Sequence, residues 1–197
     1  MKKLLICLAA TAAVCSAQAQ SGDFTGFSAG GNLAMNAAGS STTDTTGTDD
    51  GFGKQSLGIG GFAGYGLSIG SSTIITLGFD YSFSDLKAFE DSSGTSSKLQ
   101  NLSSLSIAPG TLLTDKTLAY FKLGFENGKA VASSTTETSK NITGTSWGVG
   151  MKTLFDKNTF MQIEVKQVNY GAARYDGDTV DFTARGTSGS VGVGFMF

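Results

Sequence analysis

From residue 27 onward, apolar and polar residues repeatedly alternate with a period of two. Such alternation marks strands with two unlike faces. The first segment sets Phe27, Ala29, Gly31, Leu33 and Met35 against Ser28, Gly30, Asn32, Ala34 and Asn36. The second sets Leu57, Ile59, Gly61, Ala63 and Tyr65 against Ser56, Gly58, Gly60, Phe62 and Gly64. In the third, Ile75, Leu77, Phe79, Tyr81 and Phe83 face away from Thr76, Gly78, Asp80, Ser82 and Ser84. A fourth lies within 99–110, with Leu105, Ile107 and Pro109 on one face; Leu99, Leu102 and Leu105 share no face there, which leaves its register soft. The last four are built on Ala119/Phe121/Leu123/Phe125, Trp147/Val149/Met151, Met161/Ile163/Val165 and Val191/Val193/Phe195/Phe197.

These are eight strands of about ten residues, and the connections between them take turns. Short ones fall at 67–72, 112–116 and 155–159 and carry Asp, Asn and Gly, the residues of tight turns. Long ones, rich in Ser, Thr, Gly, Asp and Asn, fall at 37–54, 85–97, 127–143 and 167–181. An antiparallel meander therefore gathers every long loop at one end and every short turn at the other. Ten residues at about 3.3 Å each, tilted about 40°, rise roughly 25 Å, the height of an apolar band in a membrane barrel. The non-apolar face is mostly Gly, Ser, Thr and Asn, which suits the narrow interior of eight strands. Aromatic residues near strand ends, Phe24, Phe27, Tyr65, Phe83, Phe125, Trp147, Phe160, Phe195 and Phe197, read as girdles. The expected fold is all-β: an eight-stranded antiparallel up-and-down transmembrane β-barrel.

Turning the polar face inward places Asp80, Glu126 and Glu164 against Lys122, Lys152 and Lys166. Three acids balance three bases, and pairing is expected because an unpaired charge in so small an interior is costly. The functional reading of this cluster is a gate on a narrow ion path. The structural reading is a plug, favoured because eight strands enclose only enough room for side chains.

Residues 1–19 read as a secretory signal peptide: Lys2 and Lys3, an apolar run over 4–14, then Ala17-Gln18-Ala19 as cleavage site. Cleavage after Ala19 takes 19 residues from 197 and leaves a barrel domain over 20–197. Cys7 and Cys15 leave with the peptide, so neither a disulfide framework nor a thiolate metal site is expected. Losing Lys2 and Lys3 reduces 14 basic residues to 12 against 16 acidic, a net charge of −4 without a basic stripe, and no nucleic-acid partner is expected.

Histidine is absent. That removes the usual general base, the Ser-His and Cys-His nucleophile pairs and imidazole metal ligands, so no enzyme is expected. Other motifs lack their context. Gly58-Ile59-Gly60-Gly61-Phe62-Ala63 matches a loose dinucleotide pattern but sits within an alternating strand, with no following helix. Gly53-Lys54 lacks the earlier glycine of a phosphate loop. Asp44, Asp49 and Asp50 miss calcium-loop spacing and read as a solvated acidic loop. Asn101 and Asn141 open glycosylation sequons, which mean little if the expected barrel belongs to a bacterial outer membrane. No cofactor or metal is expected.

Several stretches together resemble the OmpA/OmpX-type small outer-membrane barrels. Ser106-Ile107-Ala108-Pro109-Gly110 and the run from Leu113-Thr114-Asp115 to Phe125 resemble their strands four and five. Trp147-Gly148-Val149-Gly150-Met151 and Glu164-Val165-Lys166 resemble strands six and seven, and Phe27-Ser28-Ala29-Gly30-Gly31-Asn32 the first. The ending Val191-Gly192-Val193-Gly194-Phe195-Met196-Phe197 resembles the signal that such barrels present to their assembly machinery, carried by Val191, Val193, Phe195 and Phe197. The resemblance implies a cell outer-membrane location, short periplasmic turns and long extracellular loops. It implies as partners outer-membrane lipid and lipopolysaccharide, the barrel assembly machinery, periplasmic chaperones and an extracellular ligand of the loops. The peptidoglycan-binding domain of full-length OmpA-type proteins has no counterpart after strand eight, so no wall-anchoring role is expected. The function expected is a non-enzymatic envelope component with surface-exposed interaction loops. A narrow porin-like channel for ions or very small solutes and a soluble secreted β protein are the alternatives.

Overall fold

A computed structural model describes residues 24–44, 47–50, 54–69, 72–90, 96–133, 137–171, 173–174 and 181–197. The expected signal peptide and its cleavage site lie outside them. The described elements are all strands: β1 (Gly26–Asp44), β2 (Gly47–Asp50), β3 (Lys54–Ser68), β4 (Thr73–Ser82), β5 (Leu86–Glu90), β6 (Ser96–Thr114), β7 (Thr117–Ser133), β8 (Glu137–Leu154), β9 (Thr159–Tyr170), β10 (Ala173–Arg174) and β11 (Asp181–Met196). Eight of them form the wall, in the order β1-β3-β4-β6-β7-β8-β9-β11, each antiparallel to the next. β11 then pairs with β1 from Ser28↔Met196 to Thr43↔Asp181 and closes the barrel. The short β2, β5 and β10 pair with β1, β6 and β11 at the long-loop end.

Parity sorts the side chains as the alternation requires. Leu33, Ile59, Leu77, Leu105, Leu123, Val149, Ile163 and Val193 all face outward, each 40% or more exposed. The extent of this belt suits contact with lipid. Phe83, Phe125 and Trp147 edge it at the long-loop end, with Phe27, Tyr65, Phe195 and Phe197 towards the short turns. Phe27 and Phe197 rings lie 5.9 Å apart across the closing seam. Phe24 and Phe160 are not girdle residues: both are buried inside the barrel. Phe160 shares parity with Gln162 and Glu164 on β9, which turns it inward, opposite to Met161.

Seven of the eight wall strands extend further than ten residues; β4 has ten. β1 and β6 run 19 residues each, so much of the expected long loops is paired strand. Ser, Thr and Asn dominate these extensions. In such polar stretches the hydrophobic contrast that reveals a strand is weak, although the backbone ladder continues. The soft register of the fourth segment is a bulge in β6: its pairing with β7 slips between Gln100 and Ser103, and Asn101 takes φ 52°. The extra residue lets Leu99 and Leu102 both point inward while Leu105 points to the outside.

The interior has three layers. At the short-turn end, Phe24, Phe62, Ile74, Leu118, Leu154, Phe160 and Met196 pack together. The Phe62 and Phe160 rings meet at 5.9 Å because the facing positions are Gly30 and Gly194; a Cβ at either would come within 2.5 Å of a ring carbon. At the long-loop end, Leu99, Leu102, Ala130, Ile142, Val168 and Tyr170 form a second apolar layer. Polar and charged residues lie between. The turn from β8 to β9 is fastened by the Asp156 carboxylate, which accepts N–H bonds from Asn158 (2.9 Å) and Thr159 (2.7 Å). These bonds hold its carboxyl below the usual range, so their support is complete above about pH 4 and fades as the pH falls through the lowered pKa.

Three substitutions test this arrangement in urea titrations of the barrel in micelles. Val149→Arg, on the outward belt, costs about 2–4 kcal/mol, whereas Thr143→Arg, beyond the girdle on the same face of β8, costs about 1 kcal/mol or less. Phe160→Ala empties the inner layer and costs about 3–5 kcal/mol.

Candidate functional site

The middle layer is assembled by inward parity on three neighbouring strands and one strand across the lumen. β7 contributes Tyr120, Lys122 and Glu126; β8 contributes Ser146 and Lys152; β9 contributes Gln162, Glu164 and Lys166. Asp80 arrives from β4. Lys122 is buried and sits between two carboxylates, its Nζ 2.9 Å from Asp80 Oδ2 and 3.2 Å from Glu164 Oε2. Tyr120 donates its hydroxyl to Glu164 Oε2 at 2.9 Å. A second group stands nearer the long-loop end: Lys166 Nζ lies 3.1 Å from Glu126 Oε1, and the Ser146 hydroxyl donates to the same oxygen at 2.6 Å.

Five of the six expected lumen charges therefore form ion pairs. Lys152 does not. Its Nζ stands 5.1 Å from the Phe160 ring centre and 5.9 Å from that of Tyr120, with no carboxylate at ion-pair distance among the described residues. The register explains this. Lys152 is opposite Leu118 and Gln162, one layer closer to the short turns than Glu164, whose oxygens Lys122 and Tyr120 already engage. Ring faces supply the negative potential instead. Tyr120, Ser146 and Gln162 belong to this layer too. Tyr120 shares the inward parity of Lys122, the signal from which it could be singled out; nothing local in the sequence tells which acid it would reach.

Two cavities flank the Lys122 cluster. One of about 110 Å³ opens towards the long-loop end, bounded by Asn32, Ser104, Glu126, Lys166, Val168 and Tyr170 among others. Another of about 30 Å³ lies on the opposite side, beside Ser106, Tyr120, Lys152 and Gln162. Asp80 and Glu164 border both, so the Asp80–Lys122–Glu164 triad is the partition between them. A cavity of 30 Å³ has room for about two waters. Below it the Phe62–Phe160 layer continues to the turns. The buried Ser104 and Ser106 hydroxyls have no protein partner, and each borders one of these cavities. No group of three or more metal-ligating side chains occurs among the described residues.

The four expected assembly-signal residues are brought together on one outer face of β11 and its end: Val191, Val193, Phe195 and Phe197 all point outward at the closing seam. Met196, between the last two, turns into the lumen layer.

Solved structures similar to this one are small membrane barrels. Ail, the attachment invasion locus protein of Yersinia pestis, solved with the heparin analogue sucrose octasulfate, is 17% identical, with a TM-score of 0.51 over 88% of this chain and 100% of that one. Neisserial surface protein A is 15% identical, with a TM-score of 0.50 over 85% and 97%. The outer membrane protein OprG from Pseudomonas aeruginosa is 10% identical, with a TM-score of 0.51 over 90% and 99%. At such identities the likeness is one of fold. A comparison with curated protein sequences finds no match. The family described as outer membrane protein beta-barrel domain matches residues 6–197, and the chain, whose closed wall carries an apolar belt outside and a charged layer inside, belongs to that family of outer-membrane barrels.

Proposed function

We propose that this protein is a non-enzymatic component of the outer membrane whose lumen is sealed and whose activity resides on the surface at the long-loop end. The observation that carries this reading is the occupied interior: an apolar layer at the short-turn end and, above it, a triad that partitions the lumen below a cavity open towards the long loops. With the interior occupied, the rigid wall serves as a platform, and the paired extensions of β1, β6, β7, β8 and β11 lift a polar surface away from the belt. Contacts with an extracellular ligand would be made there, since loops on a rigid scaffold commonly carry binding. Export through a signal peptide cleaved after Ala19 and recognition of Val191, Val193, Phe195 and Phe197 by the assembly machinery complete the proposal. The small cavities on either side of Lys122 favour a second reading, a slow path for ions or very small solutes.

The first test is fractionation with gels of unheated and boiled samples. The folded protein runs faster before boiling and sits in the outer-membrane fraction; a soluble protein with no shift overturns the reading. Planar-bilayer recordings decide between platform and path. Lys122→Ala leaves Asp80 and Glu164 facing each other without their shared cation, and stability falls by about 3–5 kcal/mol. Under the sealed-lumen reading, wild-type conductance is negligible and the variant's openings are brief. A large, steady current from Lys122→Ala with unchanged melting shows instead that the triad is a gate. Phe197→Ala leaves the melting of refolded protein within about 1 kcal/mol while lowering the amount assembled in cells, because an outward, half-exposed ring contributes little packing.

A further inference from the structure

The larger cavity, about 110 Å³ and open towards the long loops, has acidic walls that the ion pairs leave partly free. Ladder register builds them. Asp80 on β4 pairs with Ser104 on β6, and Ser104 with Glu126 on β7. The three are therefore neighbours on the inner face, and all border the cavity. Ser104 is 3% exposed, and its hydroxyl has no partner among the described residues. A buried hydroxyl costs stability until something entering the cavity bonds it. The carboxylates on either side are only half engaged. Lys122 reaches Asp80 at Oδ2, while Lys166 and Ser146 reach Glu126 at Oε1. Oδ1 of Asp80 and Oε2 of Glu126 lie outside these contacts. Gly124 keeps room for the group: a Cβ there would come within 3.0 Å of the Ser104 hydroxyl oxygen and 2.5 Å of that of Ser146.

Charge and size identify the class of ligand. Around the cavity floor, Asp80, Glu126 and Glu164 face Lys122 and Lys166, a net charge of −1, because Lys152 lies beyond the partition. Arg185 also borders the cavity, but it is exposed, where salt screens its charge. The deep part therefore favours a cation. A primary ammonium suits it, since its three N–H donors match the Ser104 hydroxyl and the two free carboxylate oxygens. On β1 the Asn32 amide borders the same cavity and offers a partner to a hydroxyl of the ligand. Gly60 gives that amide its place, as a Cβ there would come within 2.6 Å of Asn32 Oδ1. A cavity of about 150 Å³ holds benzene, so this one takes a body of roughly four or five non-hydrogen atoms. We infer that the cavity above the triad is a binding site for small primary amines, whose ammonium group sits in the arc of Asp80, Ser104 and Glu126. The site depends on the closed wall, and on neither a ligand of the loops nor conduction.

The test titrates the isotope-labelled full-length protein in micelles and follows the backbone amide signals of Ser104, Gly124 and Glu126 by nuclear magnetic resonance. Ethanolamine, acetate and glycerol are added in turn, and sodium chloride serves as the control for ionic strength. Ethanolamine shifts these signals saturably in the millimolar range, whereas acetate and glycerol leave them in place. Ser104→Ala weakens ethanolamine binding by roughly tenfold, the loss of one hydrogen bond to a charged group. Without ligand the same variant melts at or above the wild-type temperature, because it removes a buried hydroxyl that no protein group satisfies. Equal affinity in wild type and Ser104→Ala, equal shifts from acetate or glycerol, or no saturable shift overturns the site. A marked fall in the melting of Ser104→Ala also overturns it, since the hydroxyl then serves the fold. Shifts that sodium chloride alone reproduces overturn it in favour of an inorganic cation. Each protein is run unheated and boiled alongside: a mobility shift shows the barrel intact, so a failed site is told apart from a failed barrel.

Discussion

Every backbone N–H and C=O in the belt must find its partner within the wall, because lipid offers none. β1 and β11 meet that demand through sixteen residues on each strand, from 28 to 43 and from 181 to 196. Once the first strand pairs the last, no edge remains, and each side chain is committed to one of two surroundings by its parity alone. The outward set must then tolerate hydrocarbon and the inward set must fill a space fixed by eight strands. The rest of the architecture follows from that division.

Inside, the space is too narrow for a uniform lining. Large rings occur where the cross-strand neighbour is glycine, as Phe62 and Phe160 do beside Gly30 and Gly194, so bulk and absence of bulk are matched between adjacent strands. The charges obey a stricter condition. Lys122 shares its ammonium between carboxylates from β4 and β9 and so ties opposite sides of the wall. Lys166, Glu126 and Ser146 form a second tie, among the neighbouring strands β7, β8 and β9. Lys152 lies outside both and rests on aromatic faces, a weaker but adequate partner for a cation with part of its hydration removed. Apolar layers above and below keep these ties in low dielectric, where they are strongest and where breaking one is most costly.

Outside, the belt and its girdle set a vertical scale. Residues beyond Phe83, Phe125 and Trp147 meet headgroups and then water, which is why the strand extensions turn to Ser, Thr, Asn and Lys while their hydrogen-bond ladders continue. The bulge at Asn101 falls in this region. It exchanges the regular alternation of β6 for two inward leucines that join the upper apolar layer.

The sequence by itself determined the number of strands, their order, the sides on which long and short connections fall, and the inward or outward facing of nearly every belt residue. These depend on a period of two, a property of the local chain that survives any arrangement of neighbours. It also singled out all six lumen charges by parity. Only the tertiary structure decided who meets whom. Lys122 and Glu164 are 42 residues apart, and their contact depends on the stagger of successive strands accumulated around the wall. That stagger leaves Lys152 without a carboxylate, recruits Tyr120 and Ser146, and turns Phe24 and Phe160 inward against the reading of aromatics as girdle. The extensions were invisible for the complementary reason: in stretches dominated by Ser, Thr and Asn little hydrophobic contrast records the strand, and only the paired backbone reveals it.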